Sequence, residues 1–442
     1  MQSIRNKINH ILKILNVNVG GFRNVENVKL ELDKFNALIA LNNFGKSNVI
    51  DAVEFGIDFI NFPKERKLKL MATKSIIPIN KHIDNKPYEF DITFQLDYKK
   101  KKYQINYGFS FEWIKNKGKG REIKEEHLKI KIVNEDLKYT SYIKRSKKEA
   151  LYLSSVSGRC DKAIKVDKEE LVVNKLNNFD NLFYFHIIEK LNSIRVPFVN
   201  TLQHPDKLFR RLSSGVVRTG YSLELPNNRD VAFFIYSLKK LKPNIYSLFE
   251  DSVKSLLKDV EDFEPIEIDF KSEVDFDSDS EEIPLDFPDK IYDIRLKEVN
   301  NNQQSNIGSL SSGSQKIFYI LAFAIAAELN KIPLISFEEL ENSIHPGLLQ
   351  KLLIVLDGLV TNTCIMTSSH SPYLIQYLDI DKIKIGIPND KGLAIFKEIK
   401  KAKFKRLLNI AEEEGISAGD LIFDRLIECN NGEYELFNEF CD

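Results

Sequence analysis

The stretch Leu38-Ile-Ala-Leu-Asn-Asn-Phe-Gly45-Lys46-Ser47 decides the fold, because it joins an apolar segment to a helix-forming one. Its first four residues predict a short buried strand, and the pattern from Lys46 to about Ile60 predicts a helix. A glycine-bearing turn at such a junction presents backbone N–H groups at a helix N-terminus, where anions bind. A lysine and a hydroxyl follow the glycine, as the phosphates and the magnesium ion of a nucleoside triphosphate require. The stretch therefore predicts a phosphate-binding loop.

Individual residues of this loop have distinct expected roles. Lys46 is expected to reach the β- and γ-phosphates of ATP, and Ser47 to ligate Mg²⁺. Ala40 stands where such loops usually have glycine, and a methyl group fits there only if the backbone dihedrals suit a non-glycine residue. An ordinary helix-capping turn is the alternative interpretation, since Gly-Lys-Ser is a common tripeptide. The predicted nucleotide-binding residues of the loop are Asn42, Asn43, Phe44, Gly45, Lys46, Ser47 and Asn48.

A second pattern, almost 300 residues later, is an apolar segment that ends in two acids, Pro333-Leu-Ile-Ser-Phe-Glu338-Glu339. Two carboxylates at the end of a sheet strand suit the handling of Mg²⁺ and water beside a phosphate loop. We expect Glu338 to hold the metal ion, usually through water, and Glu339 to polarise the attacking water. The alternative is an acid pair at a helix N-terminus, which the helix dipole favours.

Two further patterns follow predicted helix and strand boundaries. Leu310-Ser-Ser-Gly-Ser-Gln315 opens a helix with a nearly all-apolar stretch. Its serine and glycine, Ser311 and Gly313, form an anion site, or the segment is a plain N-cap with Ser311 or Ser312. His370 comes just after a predicted strand that begins at Cys364. At the end of a sheet strand a histidine contacts a γ-phosphate or has a purely structural role, and both interpretations stay open.

The order and spacing of these four patterns resemble the ATP-binding-cassette (ABC) ATPases of the structural-maintenance-of-chromosomes, repair-clamp and RecF kind. The resemblance makes Lys46 the Walker A lysine, residues 310–315 the signature motif, Glu338-Glu339 the end of the Walker B motif and His370 the switch histidine. Gly21-Phe22-Arg23 matches the N-F-R opening of that group, so Arg23 is expected beside the nucleotide. The resemblance also implies ATP and Mg²⁺ as ligands.

Within that group, residues 338–346 resemble the D-E-P-E-x-x-x-H-P run of the overcoming-lysogeny-defect ATPases and their AAA-domain relatives. The sequence departs from the usual motifs at Ala40, Asn43, Glu338 and Leu340. These departures leave ATP binding expected and put the rate of hydrolysis in question. The resemblance implies a homodimer, or a higher oligomer, in which Ser311 and Gly313 of one subunit close over the ATP at Lys46 of a second.

The patterns along the chain predict an α/β fold, and the resemblance implies the ABC ATPase head type, with a mixed β-sheet and flanking helices. Period-two alternation between Tyr88 and Lys131 predicts an antiparallel meander in the N-terminal lobe. The nucleotide-binding unit is expected to come from both ends of the chain, with a mainly helical middle inserted. The predicted divisions are an N-terminal lobe at 1–155, a helical insertion with an acidic linker at 156–290, a C-terminal lobe at 291–400 and a helical tail at 401–442.

The overall charge is balanced, with 64 Lys+Arg and 64 Asp+Glu in 442 residues, which excludes a uniformly basic nucleic-acid binder. Positive charge is nevertheless concentrated in residues 61–150, including the run Lys99 to Lys102, and negative charge in residues 251–290. The basic segment predicts either charged strand edges or a face that contacts DNA phosphates. The acidic segment predicts a linker with an exposed strand, or a mimic of nucleic acid.

Cysteine spacing and apolar runs exclude several protein classes. Cys160, Cys364, Cys429 and Cys441 have neither metal-ligand nor disulfide-framework spacing. The start of the chain does not resemble a signal peptide, and the longest apolar run holds 11 residues, too few to cross a bilayer. We therefore expect a cytoplasmic protein that has no membrane segment.

The residues after His370 bear on the subtype. Only 72 residues follow it, too few for a complete Toprim nuclease domain, and they include no histidine. The chain therefore resembles the ATPase subunits of anti-phage systems such as Septu and PARIS, in which the nuclease is a separate polypeptide. The expected function is an ATP-driven sensor and scaffold that controls this partner. A RecF-like or repair-clamp ATPase that holds DNA, and an ATP-binding scaffold with little hydrolysis, are the alternatives.

Overall fold

The computed structural model describes residues 12–78, 80–115, 120–136, 138–199, 220–226, 230–269, 290–301, 303–387 and 389–430. The chain divides into two compact units, each built from separated segments. The first unit is made of residues 1–198, 332–337 and 364–442, and the second of 199–331 and 338–363. The divisions expected from sequence, at residues 155, 290 and 400, stay a prediction.

An eight-stranded antiparallel sheet dominates the first unit, in the order β2-β1-β4-β5-β6-β7-β8-β9. From β4 to β9 each strand pairs with the next one along the chain, which confirms the predicted meander. Lys99 and Lys100 form the two-residue turn between β4 and β5, and both have positive φ, as a tight hairpin turn requires. The strands are β1 Leu12–Phe22, β2 Val25–Glu31, β4 Tyr88–Tyr98, β5 Lys101–Phe111, β6 Ile123–Ile132, β7 Thr140–Arg145, β8 Ala150–Leu153 and β9 Cys160–Ala163.

A second sheet, of six strands, has the order β10-β14-β15-β3-β16-β17. Its strand β3 is buried at all five residues and pairs in parallel with β15 and β16, as is typical of a strand covered on both faces. The strand predicted before the phosphate loop is therefore β3, and its neighbours come from the other end of the chain. The strands are β3 Phe35–Ile39, β10 Phe198–Val199, β14 Leu334–Glu338, β15 Cys364–Ser369, β16 Ile383–Gly386 and β17 Phe396–Lys397.

Helix α1, Lys46–Asn61, packs closely against the meander. The Tyr88 hydroxyl donates to the Ala52 carbonyl at 2.8 Å, and a Cβ on Gly56 would lie 2.0 Å from the Phe90 ring. Phe55 and Phe59 of the helix extend this contact as part of an aromatic cluster, in which each ring pair contributes about 0.5–1.5 kcal/mol beyond area burial. The helix that begins at the phosphate loop is thus fixed along its length. The other helices of this unit are α2 Lys64–Met71, α3 Val172–Leu176, α4 Phe185–Leu191, α9 Tyr373–Tyr377, α10 Lys401–Glu414 and α11 Ala418–Asn430.

The second unit packs helices around a three-stranded antiparallel sheet, in the order β11-β12-β13. Helix α7, Ser312–Leu329, is buried on nearly all sides, as its apolar sequence predicts. Its residue Phe318 contacts Phe249 and Phe263. Among the described helices, α7 included, none is both long and apolar enough to cross a membrane. The elements are α5 Val231–Leu241, α6 Pro243–Leu256, β11 Val260–Asp269, β12 Lys290–Glu298, β13 Ser305–Asn306, a 3₁₀ turn at Ile307–Ser309, α7 Ser312–Leu329 and α8 Pro346–Leu359.

Three sequence predictions fall partly outside the described residues. Residues 251–256 of the acidic segment end helix α6, residues 260–269 form strand β11, where acids alternate with Phe and Ile, and residues 270–289 lie outside the described ranges. The basic stretch Lys115 to Arg121 includes residues 116–119, which also lie outside them. The predicted helical tail is described only as far as Asn430.

Candidate functional site

The predicted phosphate loop turns from β3 into α1 through two residues in the left-handed region, Asn43 at φ 67° and Gly45 at φ 84°. A Cβ on Gly45 would lie 2.7 Å from the Ala394 Cβ and 2.9 Å from the Asn24 Oδ1, so only glycine fits there. Asparagine tolerates the left-handed conformation, which explains its place in the second glycine-preferred position. No side chain caps the N-terminus of α1 at Gly45. Such loops at uncapped helix starts form concave sites for anions.

The Lys46 side chain lies inside this loop. Only 8% of the residue is exposed, and its Nζ donates to the Ala40 carbonyl at 2.8 Å and to the Leu41 carbonyl at 2.9 Å. Hydrogen bonds between a cation and a phosphate are stronger than those to neutral carbonyls. A phosphate in the loop would therefore compete well for this ammonium group.

The methyl group of Ala40 fits the loop because a neighbouring strand leaves room for it. Ala40 is fully buried and has a negative φ, so its backbone suits a non-glycine residue. On β16, a Cβ added to Gly386 would lie 2.6 Å from the Ala40 Cβ. The loop has alanine where glycine is usual, and a glycine on the adjacent strand, Gly386, provides the space for its methyl group. The alanine therefore fits the fold without strain.

We expect Gly386→Ala to lower the free energy of unfolding by about 1–3 kcal/mol, because the added methyl overpacks the contact with Ala40. Ala40→Gly in the same chain should recover part of this loss. The recovery is incomplete because the new Cβ would also lie 3.0 Å from the Phe396 ring. Urea unfolding of both single variants and the double variant measures the coupling. Strictly additive changes would contradict the steric pairing of these two positions.

Arg23 lies beside the first turns of α1, and its expected place beside the nucleotide stays a prediction. Its Nη1 donates to the Asn48 Oδ1 at 2.8 Å and to the Asp51 carboxylate at 2.5 Å, and its Nε donates to the Ser75 carbonyl at 3.2 Å. Arg23 itself has φ 48°, at the turn between β1 and β2. Two of the predicted nucleotide ligands, Arg23 and Asn48, are thereby brought together.

Asp51 is a member of this cluster that the sequence analysis missed. Burial raises the pKa of its carboxyl group, and the Arg23 guanidinium opposes that rise. The only local signal was an acid one helical turn after Asn48, on a helix rich in apolar residues. Its carboxylate balances the charge of Arg23 and fixes the direction of the guanidinium group.

His370 lies at the edge of the sheet that carries the phosphate loop. It directly follows β15, whose last residue, Ser369, pairs in parallel with Ile39 at the end of β3. The Ala40 N–H donates to the Ser369 carbonyl at 3.3 Å and extends this pairing by one step. Because parallel strands end at the same edge, the first unit brings His370 and the phosphate loop to one side of the sheet.

The predicted acid pair falls where β14 ends. Glu338 is the last residue of the strand, and Glu339 has φ 48° and begins a turn over residues 339–344. The Asn342 N–H donates to the Glu339 carbonyl at 3.0 Å, and the Asn342 amide donates to the Glu339 carboxylate at 3.3 Å. The alternative of an acid pair at a helix N-terminus does not describe this place, since the next helix, α8, begins only at Pro346.

The predicted signature segment opens α7. Ser311 is the N-cap, and its Oγ accepts from the Ser314 N–H at 3.2 Å. A Cβ on Gly313 would lie 2.2 Å from the Ser343 carbonyl oxygen, so glycine is required at this position. The N-cap interpretation therefore holds for Ser311, and a role of Ser311 and Gly313 in binding nucleotide stays a prediction.

His345 has a structural role within the run 338–346. It is the N-cap of α8, where its Nδ1 accepts from the Gly347 N–H at 3.2 Å, and Pro346 takes the first helical position. The His-Pro pair of the run thus begins a helix. A histidine directly before proline and an apolar periodic segment was a local signal for this cap.

Part of the positive charge on the meander is paired within the described residues. Lys101 lies 3.0 Å from the Glu135 carboxylate, and Lys124 and Lys147 lie 3.2 Å and 3.1 Å from that of Glu112. These pairs are exposed and weak, so they do not prevent contact with a polyanion. They show that part of the predicted basic face forms ion pairs within the meander itself.

Residues 12–375 match a protein family described as "AAA ATPase domain". No curated protein matches the chain. Matching solved structures include the SmcHead bound to the C-winged helix domain of ScpA, at 12% identity and TM-score 0.44, covering 88% of this chain and 99% of the other. The SMC head domain from Thermotoga maritima matches at 9% identity and TM-score 0.41, covering 88% of this chain and 99% of the other. A third match is the Smc head domain with an extended coiled coil bound to the C-terminal domain of ScpA, derived from Pyrococcus furiosus. It has 11% identity and TM-score 0.45, covering 92% of this chain and 100% of the other.

Proposed function

Because the chain belongs to the AAA ATPase domain family, which its residues 12–375 match, we propose that it binds ATP with Mg²⁺ and hydrolyses the ATP. The observation that carries this proposal is the loop between β3 and α1, with Lys46 held inside it and two left-handed residues around it. Calorimetric titration with ATP in the presence of Mg²⁺ or EDTA, with phosphate release measured alongside, tests it. Absence of ATP binding by the folded protein would refute the proposal.

The site residues divide into binding and hydrolytic groups in this proposal. Residues 42–48 and Arg23 bind the nucleotide, and Ser47 and Glu338 hold the magnesium ion, which neutralises phosphate charge. A hydroxyl and a carboxylate are oxygen donors of the kind that Mg²⁺ prefers. Glu339 orients the water that attacks the γ-phosphate, and His370 contacts that phosphate. The match of Ala40 with Gly386 supports an intact loop rather than a scaffold with blunted chemistry.

We further propose that the protein works as an ABC-type homodimer, or within a higher oligomer. The signature segment of one subunit, through Ser311 and Gly313, closes over the ATP at Lys46 of the other. A head-to-tail pair of this kind has twofold symmetry and is closed, so it does not extend into fibres. The position of Ser311 and Gly313 at the start of α7 supports the proposal, since a helix N-terminus favours an anion.

The biological role that we propose is that of sensor and scaffold in an anti-phage complex, in which the ATPase controls a separate nuclease. The resemblance of residues 338–346 to the overcoming-lysogeny-defect run supports it. The test is to purify the tagged chain from its native cell and identify stoichiometric partners. A nuclease that co-purifies with the wild type and is inactive until phage infection supports the role. Purification without a nuclease partner would contradict it.

The basic meander favours a second candidate function, a RecF-like ATPase that holds DNA. The hairpin at Lys99 to Lys102 projects four successive lysines, and Lys99 also lies over the Tyr98 ring at 5.2 Å. Lysines at a tight turn offer sequence-independent contacts to phosphates.

If DNA binds here, reversing the charge of Lys99 to Lys102 should weaken duplex binding and flatten its salt dependence. The slope of log K against log salt falls by about 0.9 for each phosphate contact that is lost. Filter binding across a salt series measures it. Reversal of Lys124 and Lys147, which pair with Glu112, is the matched control and should change the slope less. An unchanged slope in the hairpin variant would remove this face from the proposal.

A further inference from the structure

A completely buried lysine, Lys316, lies on α7 within the first two turns after the Ser311 N-cap. It is 0% exposed, and its Nζ donates to the Glu339 carbonyl at 2.6 Å and to the Asn342 carbonyl at 3.0 Å. Burial lowers the pKa of this amine to about 8, against the opposing effect of Glu341 and Glu339. Lysine is almost never fully buried in proteins, because its charge loses its hydration there. A residue kept at such a cost calls for an explanation.

The two carbonyls that Lys316 binds belong to the turn that carries Glu339. That residue has φ 48°, in the left-handed region, where a non-glycine residue is strained. Its carbonyl oxygen accepts from both the Asn342 N–H and the Lys316 ammonium. The lysine therefore stabilises a backbone conformation that Glu339 would not adopt readily by itself.

A second contact joins the same helix to the same turn. The Cα of Gly313 lies against the Ser343 carbonyl, so close that a Cβ there would be 2.2 Å from the oxygen. Ser343 also has a left-handed φ, of 64°. Gly313 and Lys316 are three residues apart and thus lie on one face of α7. One helix face thereby contacts the turn near its start and near its end.

We propose that Lys316 is a positioning residue, which fixes the backbone of Glu339 and so directs its carboxylate for ATP hydrolysis. This inference rests on the proposed function, in which Glu339 orients the attacking water. Geometry matters strongly for such a group, since a displacement of about 1 Å can lower a rate about 100-fold. Ser311 is the N-cap of the same helix. A displacement of α7 at Ser311 would therefore also displace the backbone of Glu339, because Lys316 joins the two.

The test compares Lys316→Met with Lys67→Met, because the chain offers a closely matched second lysine. Lys67 is 2% exposed, donates to the Ile60 carbonyl at 3.4 Å and to the Asn174 side chain, and has its pKa lowered by burial to about 8. Both variants remove a buried ammonium group. We expect both to lower the melting temperature.

Only Lys316→Met should lower kcat, by about 10- to 100-fold, while ATP affinity stays within about twofold of the wild type. Hydrogen exchange at the amides of Asn342 and Ile344 should also accelerate in that variant alone, since their turn loses its anchor. Lys316→Arg keeps charged donors and should restore part of kcat. If Lys316→Met does not fold, Lys316→Gln replaces it, with the same expected loss of kcat.

Three results would overturn the inference. Equal kcat in the Lys316→Met and Lys67→Met variants would show that Lys316 contributes only to the stability of the fold. Unchanged exchange at residues 342 and 344 would show that Lys316 does not hold the turn. A folded wild type without ATP hydrolysis, or a Glu339→Gln variant with full kcat, refutes the proposed function, and the catalytic part of this inference with it. In that case the exchange measurement still shows separately whether Lys316 fixes the turn.

Discussion

Replacing Lys46 with alanine is expected to abolish measurable ATP binding and to leave the fold intact. The side chain donates to two carbonyls of its own loop, and in the bound state we expect it to donate to phosphate oxygens instead. A hydrogen bond to a charged group contributes about 1.5–3 kcal/mol. The loss of two such bonds weakens affinity about 10²- to 10⁴-fold, at tenfold per 1.4 kcal/mol. Fluorescent-nucleotide titration of the folded variant measures the change.

Lys29→Ala is the matched control for this experiment. Lys29 is an exposed lysine on β2, paired with the Glu31 carboxylate at 2.7 Å, and lies outside the proposed site. Its removal should leave ATP affinity unchanged. Circular dichroism melting of both variants checks that each is folded. Wild-type ATP affinity in a folded Lys46→Ala protein would contradict the assignment of residues 40–48 as a phosphate loop.

Glu339→Gln is expected to bind ATP normally but to lose hydrolysis by about 10²- to 10⁴-fold, the range of general-base catalysis. The amide has the shape of the carboxylate but cannot take up a proton from water. ATP therefore stays bound, and the proposed subunit pair stays closed. Glu413→Gln, at an exposed position on α10, is the matched control and should hydrolyse ATP at the wild-type rate.

The closed pair is detected by crosslinking between subunits. One cysteine is introduced at Ser311 and another near Asn43, in a chain whose four native cysteines have been replaced. Strong crosslinking of the Glu339→Gln form with ATP, and little without it, is the expected result. Equal yield in both states, or no crosslink in either, argues against the sandwich of two ATP molecules.

Local sequence patterns were enough to predict the elements that position the site. The meander follows from side chains that alternate between two faces, and the strand–loop–helix order around Gly45 follows from an apolar run, a turn residue and a helical pattern. These signals lie within a few residues of each other. The meander and the strand–loop–helix order around Gly45 therefore needed no knowledge of distant contacts.

The features that the sequence analysis missed depend on residues far apart in the chain. The fit of Ala40 requires Gly386, and the direction of Arg23 requires Asp51. Lys316 looks like an ordinary polar residue near the start of an apolar helix until the turn after β14 is placed against it. Propensity and periodicity describe one segment at a time, so pairings of this kind stay hidden until the tertiary contacts are known.

The position of β3 between two late neighbours has a consequence for biosynthesis. Its partners β15 and β16 begin at Cys364 and Ile383, more than 300 residues after β3 ends. At about 5–20 residues per second, a ribosome needs on the order of tens of seconds to deliver them. Throughout that interval, the apolar segment Phe35–Ile39 has emerged without the strands that will cover its edges, which is the state that chaperones recognise and that aggregates most readily. The meander strands, by contrast, pair in the order in which they are made, from β4 to β9.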